Sequence, residues 1–151
     1  MRIQQLRDML EHVVETYLEM HKLYLRLYHY ADDTRAKLLL NYLQQQELVQ
    51  SQVLATYIET STKAMLDTWY ENASVVGLTS SYANIYLPAN MTTDQVIDLH
   101  LQLDSEVIAT LDNLAANSLN HKIQLALKTL VNSAEIKQQR LIHSAARFDD
   151  L

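Results

Sequence analysis

Polar side chains interrupt the apolar stripe of a predicted helix at the point where that stripe should be most apolar. In the segment YLQQQELVQSQV, residues 42–53, these side chains are Gln46, Glu47 and Gln50. At 100° per residue, all three fall within roughly 60° of the centre of the helix's apolar face. A carboxylate and two amides placed there can bind a metal ion, hold another ligand or pair with other buried polar groups.

Other predicted helices also carry polar residues at inward positions. The same arithmetic places His21 inside the first helix and Lys137 inside the fourth. His100 and Asp104 lie one turn apart inside the third helix, and this spacing allows both side chains to bind one ion. The candidate metal ligands are therefore Glu47, His100 and Asp104.

Four long helices are predicted to position these residues. Apolar residues at alternating spacings of three and four predict a first helix over 3–31, and a second follows over 34–60 after the turn ADDTR. A third helix begins at the cap TTDQ, residues 92–95, and runs to about 117. After the turn NSLNH, a fourth helix runs to about 147.

The links between these helices are short, long and short. The long link, residues 73–91, contains the only glycine and the only proline of the 151-residue chain. If extended, it reaches roughly 60 Å, which exceeds the length of about 40 Å expected for each helix. The sequence therefore predicts one all-α domain over 1–151, a four-helix bundle with a crossover between the second and third helices. A plain up-down bundle with an enlarged second loop is the alternative.

The crossover topology brings the inward polar residues to similar heights, within a layer about two turns thick. This predicted polar layer contains His21, Gln46, Glu47, Gln50, His100, Asp104 and Lys137. Lys137 has the angular position of a core residue, so we expect its stem to be buried and its ammonium to pair with Asp104 or Glu47. A paired core layer is the main interpretation, and a metal site or another ligand pocket is the alternative.

The architecture resembles the ferritin-like superfamily of carboxylate-bridged dimetal proteins. In that family two helices each provide a Glu and two provide Glu-x-x-His. The nearest matches here are ELVQ, Glu47 to Gln50, and EIKQ, Glu135 to Gln138, with Gln where the family has His. Gln is a poorer ligand for transition metals than imidazole. The resemblance implies the fold and carries the role of metal ligand over to Glu47 alone.

Two further departures weaken a dimetal site. The first helix has no inward Glu, and Tyr17 and His21 occupy the likely ligand height. An ammonium at Lys137 would repel a cation. The predicted function is a non-catalytic binding or structural module with no cofactor. The alternative is a metal-binding protein that uses iron or manganese as an oxidoreductase or iron handler.

Composition limits the remaining classes of function. The net charge of −6 argues against nucleic acid or an anionic membrane as the main partner, and the absence of cysteine excludes thiol chemistry. The sequence contains no apolar run long enough to span a membrane and no signal-peptide core at its start, so we expect a cytoplasmic protein. The additional apolar residues Leu18, Leu23, Leu25 and Tyr30 widen the first helix's apolar face, which predicts a second buried contact with either the crossover or a partner chain. We expect a homodimer through that helix.

Overall fold

The computed structural model describes residues 3–71 and 82–149, and four long helices form most of it. In chain order the elements are β1 (Ile3–Gln5), α1 (Leu6–Tyr30), α2 (Thr34–Thr60), α3 (Lys63–Leu66), β2 (Trp69–Glu71), α4 (Thr93–Ala116) and α5 (His121–Asp149). The four predicted helices correspond to α1, α2, α4 and α5, so the all-α prediction is confirmed. None of the helices in this described part combines the length and apolar composition that a membrane crossing requires.

Side-chain caps fix where three of the long helices begin. The Asp33 carboxylate accepts a hydrogen bond from the Ala36 amide at 2.9 Å, at the start of α2. Thr92 and Gln95 form a reciprocal capping box at the start of α4. The Asn120 side chain accepts from two backbone amides in the first turn of α5. The cap predicted for α4 in the segment TTDQ is therefore confirmed.

Two short strands, which sequence analysis missed, close one end of the bundle. β1 pairs antiparallel with β2, with Gln4 opposite Tyr70. The Leu6 amide extends this contact by donating to the Thr68 carbonyl at 2.9 Å. Ile3, predicted as the start of the first helix, lies in β1 instead. Three residues are too few for a strand's twofold alternation to be visible in the sequence.

Hydrogen bonds at the two ends of the bundle define the path between β2 and α4, which we call the crossover. At one end, the Asp32 amide in the α1–α2 turn donates to the Ala89 carbonyl at 2.8 Å. At the other end, the Tyr70 hydroxyl is hydrogen-bonded to the Ser118 hydroxyl in the α4–α5 turn. The chain therefore leaves one end at β2 and reaches the other before α4, which confirms the crossover. Part of the predicted loop, 73–81, lies outside the described residues.

The core follows the predicted seams of α1 and α4 closely. α1 packs most extensively on α2, and α4 packs on α5. The buried seam of α1 and its adjoining turn contains Leu6, Leu10, Val13, Tyr17, Met20, Tyr24, Leu27 and Ala31. The buried face of α4 includes Val96, His100, Leu103, Asp104, Val107, Leu111 and Leu114. His100 and Asp104 are therefore inward, as predicted.

The wide apolar face of α1 is used largely inside the molecule. Leu23 is buried, and Tyr30 is the large apolar side chain of α1 that stays exposed. Among the described residues, α2 exposes more apolar side chains, which are Leu38, Val49 and Val53 with Tyr42. Dimerisation through α1 stays a prediction.

Arg26 of α1 anchors the described part of the crossover. Its guanidinium donates to the carbonyl oxygens of Tyr82 and Ile85 at 3.1 and 2.8 Å. It also lies over the Tyr86 ring, 5.1 Å from the centroid. One side chain thus satisfies backbone acceptors in a segment that has little secondary structure beyond the 3₁₀ turn at Tyr82–Asn84.

Replacing Arg26 by Ala should therefore lower the free energy of unfolding by about 1.5 to 3 kcal/mol, because hydrogen bonds to a charged group are lost. Backbone amides in 82–87 should also exchange with solvent faster. Chemical denaturation and hydrogen exchange measure the two effects. Lys22→Ala is the matched control, since Lys22 pairs only with the partly exposed Glu19 on the same helix. Equal effects of the two substitutions would contradict the anchoring role.

Candidate functional site

A cavity of about 200 Å³ lies among α2, α4 and α5, and Tyr17 of α1 contributes to its wall. It is lined by six of the seven residues of the predicted polar layer: Gln46, Glu47, Gln50, His100, Asp104 and Lys137. The sequence therefore predicted most of this site's polar wall.

Burial varies along the cavity in a way that separates an inner end from a mouth. Glu47, His100 and Asp104 are 3%, 4% and 9% exposed. Gln46 and Gln50 are half-buried, because each lies to one side of the helix position that Glu47 occupies. The innermost polar groups are therefore two carboxyls and an imidazole, together with the hydroxyl of Tyr17, which is 6% exposed.

The Glu47 carboxyl is buried without a close partner. Its Oε1 lies 3.8 Å from Nδ1 of His100, which is too far for a hydrogen bond. Its Oε2 has no hydrogen-bond partner in the described structure. Burial and the nearby Asp104 raise the pKa of Glu47 well above its usual value, and the positive charge of Lys137 opposes this shift. The cavity thus contains a polar atom that the described residues leave unsatisfied.

His100 is held in its neutral form against Tyr24. Burial lowers the pKa of His100 to about 4, so the ring cannot supply a positive charge to Glu47 near neutral pH. Its Nδ1 is hydrogen-bonded to the Tyr24 hydroxyl at 2.9 Å. Burial also raises the pKa of Tyr24, so this hydroxyl keeps its proton. The hydroxyl can donate to Nδ1 in the tautomer that carries its proton on Nε2.

Asp104 is hydrogen-bonded to Gln138, a residue that sequence analysis did not place inside. The Gln138 amide donates to Oδ2 of Asp104 at 3.0 Å. Burial raises the pKa of Asp104 to about 6, and this hydrogen bond partly offsets the shift. Gln138 lies four residues after Ala134 and three before Leu141. That spacing is the signal that could have identified Gln138.

The predicted burial of Lys137 is wrong. Its side chain is exposed, and Gln138, the next residue, faces Asp104 in its place. One residue corresponds to 100° of rotation, and buried Val131 shows that the inward face of α5 is turned from the predicted register. Lys137 still lines the cavity, together with exposed Arg140, so two bases lie at its mouth.

His21 is the predicted layer residue that does not line the cavity. Its Nδ1 lies 2.8 Å from the backbone carbonyl oxygen of Gln44, so the ring donates a proton across the α1–α2 interface. A backbone carbonyl can only accept, which fixes the direction of this bond. His21 therefore joins two helices, and its predicted place in the shared polar layer is wrong.

Four acids of α1, α4 and α5 point away from the cavity. Glu15, Glu106 and Glu135 are exposed, and the Glu19 side chain is 43% exposed. As predicted for the first helix, neither Glu15 nor Glu19 faces inward. The Glu of the EIKQ stretch is consequently on the surface, and only its Gln faces Asp104.

Comparison with known proteins identifies the fold. No protein-family model and no curated protein matches the sequence. Among solved structures, the chain is similar to a Thermotoga maritima protein that is classed provisionally as a ferritin-like diiron-carboxylate protein. The two share 14% sequence identity, with 97% of each chain covered and a TM-score of 0.70. The chain therefore has a ferritin-like fold.

The residues present do not fit the dimetal group that this fold can hold. Ferritin-like dimetal sites draw four Glu and two His from their helices. Among the described residues that line the cavity, Glu47 and Asp104 are the only carboxyls. Gln50 and Gln138 stand three residues after Glu47 and Glu135, where the family motif has His. No group of three His, Cys, Asp or Glu that could hold a metal ion occurs among the described residues. Two carboxylates also balance only half of the charge of two divalent ions.

The pKa shifts predict how stability depends on pH. The Asp104 pKa rises from its ordinary value of 3.8 to about 6 on folding, so between these values the folded state binds more protons than the unfolded state. Wild-type stability therefore loses this contribution as pH rises through that window. The lowered pKa of His100 changes stability in the opposite direction. As pH falls below about 6.5, the unfolded state takes up a proton at His100 more readily than the folded state, so stability decreases. The two effects partly cancel in the wild type.

A comparison of the wild type with Asp104→Asn isolates the contribution of the Asp104 carboxyl to the pH dependence of stability. The variant's stability relative to wild type should grow by about 3 kcal/mol between pH 4 and pH 7, since two pKa units correspond to that amount. Asn retains an oxygen that can accept from Gln138. Urea denaturation of both proteins at several pH values provides the measurement. A difference independent of pH would mean that Asp104 titrates like a solvated acid.

Proposed function

We propose that this protein is a non-catalytic binding module, a ferritin-like bundle whose central cavity holds a small polar ligand in place of a dimetal centre. The observation that carries the proposal is the Glu47 carboxyl, which is buried in the cavity wall with Oε2 unpartnered. A buried acceptor without a partner costs about 1 to 3 kcal/mol. A ligand that donates to Oε2 would recover that free energy on binding.

The wall chemistry supports a polar organic ligand better than a metal. Gln46, Gln50 and Gln138 offer amide donors and acceptors, and a neutral His100 adds a further polar group. Amides are weak ligands for iron and manganese beside carboxylate or imidazole. Polar side chains form most of the wall, and Leu43, Ala134 and Leu141 form its aliphatic part. Such a wall suits a polar ligand better than an apolar one, because the polar groups fix the orientation of what binds.

Metal analysis tests this proposal against its main rival. Protein purified without chelator should contain no stoichiometric metal, and titration with iron(II) or manganese(II) should show no tight site. Glu47→Ala and Asp104→Ala serve as the matched variants. Stoichiometric binding that disappears in either variant would overturn the proposal and favour a carboxylate-bridged metalloprotein.

The stability of Glu47→Gln provides a second prediction. The substitution keeps the shape of the side chain and removes the buried charge, so the free energy of unfolding should rise by about 1 to 3 kcal/mol near pH 7. Glu106→Gln, at an exposed position on α4, should change it by less than about 0.5 kcal/mol. Thermal and urea denaturation measure both. A loss of stability in Glu47→Gln would indicate a structural role for this carboxylate. Cytoplasmic location and self-association through α1 remain predictions of the sequence.

A further inference from the structure

The cavity has opposite charges at its two ends. Glu47 and Asp104 lie at the buried end, and Lys137 and Arg140 lie at the exposed mouth. The inner end of a ligand that spans the cavity therefore lies beside hydrogen-bond acceptors, and its outer end lies beside cationic donors. Charge complementarity along that axis favours a positive group inside and a negative group outside.

The buried end requires a cation with several hydrogen-bond donors. Oε2 of Glu47 has no hydrogen-bond partner among the described residues, and Oε1 lies 3.8 Å from Nδ1 of His100. A primary ammonium carries three N–H donors and can approach two carboxylates at once. A neutral donor would satisfy an oxygen but would leave the carboxylate charge buried without compensation.

The size of the cavity limits the rest of the ligand. Its volume is about 200 Å³, and an apolar cavity of roughly 150 Å³ holds benzene. A ligand of about six to ten non-hydrogen atoms is therefore the right size. Leu43 and Leu141 contribute apolar wall, against which a short methylene chain can pack.

We propose that the cavity binds a small zwitterion, an ω-amino acid whose ammonium contacts Glu47 and Asp104 and whose carboxylate lies beside Lys137 and Arg140. This inference rests on the proposed binding function and names its ligand class. The shared chemistry is a terminal primary ammonium separated by a few methylene groups from a carboxylate. Lys137 itself is the competing cation, because its charge already acts on Glu47.

Calorimetric titration of the full chain near pH 7 tests the inference with a matched set of probes. The zwitterions are β-alanine, 4-aminobutanoate and 6-aminohexanoate, and the single-charge analogues are butylamine, butanoate and butanamide. At least one zwitterion should bind about tenfold more tightly than each analogue. Comparable binding of butanoate or butanamide would refute the ligand class while leaving a binding module in place.

Two substitutions test which end of the ligand binds at which end of the cavity. Glu47→Gln should weaken binding of the zwitterion at least about tenfold, because a charge-assisted hydrogen bond is lost. Lys137→Met should weaken binding of the zwitterion several-fold, because it removes a partner of the ligand's carboxylate. It should not weaken binding of butylamine, because it also removes a competitor of the ligand's ammonium. Glu135→Gln, at an exposed position on the same helix, should leave every affinity unchanged.

The possible outcomes distinguish a failure of this inference from a failure of the proposed binding function on which it rests. Absence of binding by every zwitterion, or binding that Glu47→Gln leaves unchanged, would overturn the inference. Tight stoichiometric metal that depends on Glu47 would instead overturn the binding-module proposal itself. Circular dichroism of each variant shows whether it is folded. If Glu47→Gln is not folded, the Lys137→Met comparison decides the inference alone, because exposed Lys137 is not part of the core.

Discussion

A carboxyl group buried without a partner at the centre of the bundle is the constraint on which the rest of the structure depends. Glu47 is 3% exposed and makes no close hydrogen bond, so its burial opposes folding. The apolar residues of the same face must offset that cost, and they are Leu39, Leu40 and Leu43 before it and Leu54 and Ile58 after it. The polar layer is thus confined between two apolar layers, which exclude solvent from its inner end.

The crossover determines which side chains meet Glu47. The Asp32–Ala89 hydrogen bond places the start of α4 beside the α1–α2 turn, so α4 runs in the same direction as α2. That direction brings His100 and Asp104 to the level of Glu47 and Tyr17. An up-down connection would start α4 at the opposite end and bring other turns of the helix to this level. The long connection is therefore part of how the site is built, and Arg26 is one of the contacts that hold it in place.

How far the sequence predicts this structure depends on how strongly each helix face is marked. The seam of α1 repeats over about seven turns, so its register was unambiguous. Glu47 followed from the seam of α2. On α5 the small Ala126 and Ala134 define the inward direction weakly, so a small rotation of the inward face toward Val131 exchanges Lys137 for Gln138. The prediction for His21 was wrong for another reason. Angular position alone does not distinguish a residue at a helix interface from one that lines a shared cavity. The β1–β2 pair depends on contacts between distant residues, which local spacing does not encode.

The amides Gln50 and Gln138 explain how a ferritin-like scaffold can lose metal chemistry and keep its shape. Glutamine has nearly the length and polarity needed to replace an imidazole in a helix-lined cavity, so the packing of the bundle need not change. It removes the nitrogen lone pair on which transition-metal affinity depends. Two carboxyls at the inner end and two cationic side chains, Lys137 and Arg140, at the mouth leave the wall of the cavity without net charge. A zwitterion matches this distribution of charge and a pair of divalent ions does not, so we propose that the charge of the wall decides the chemistry while the fold only positions it.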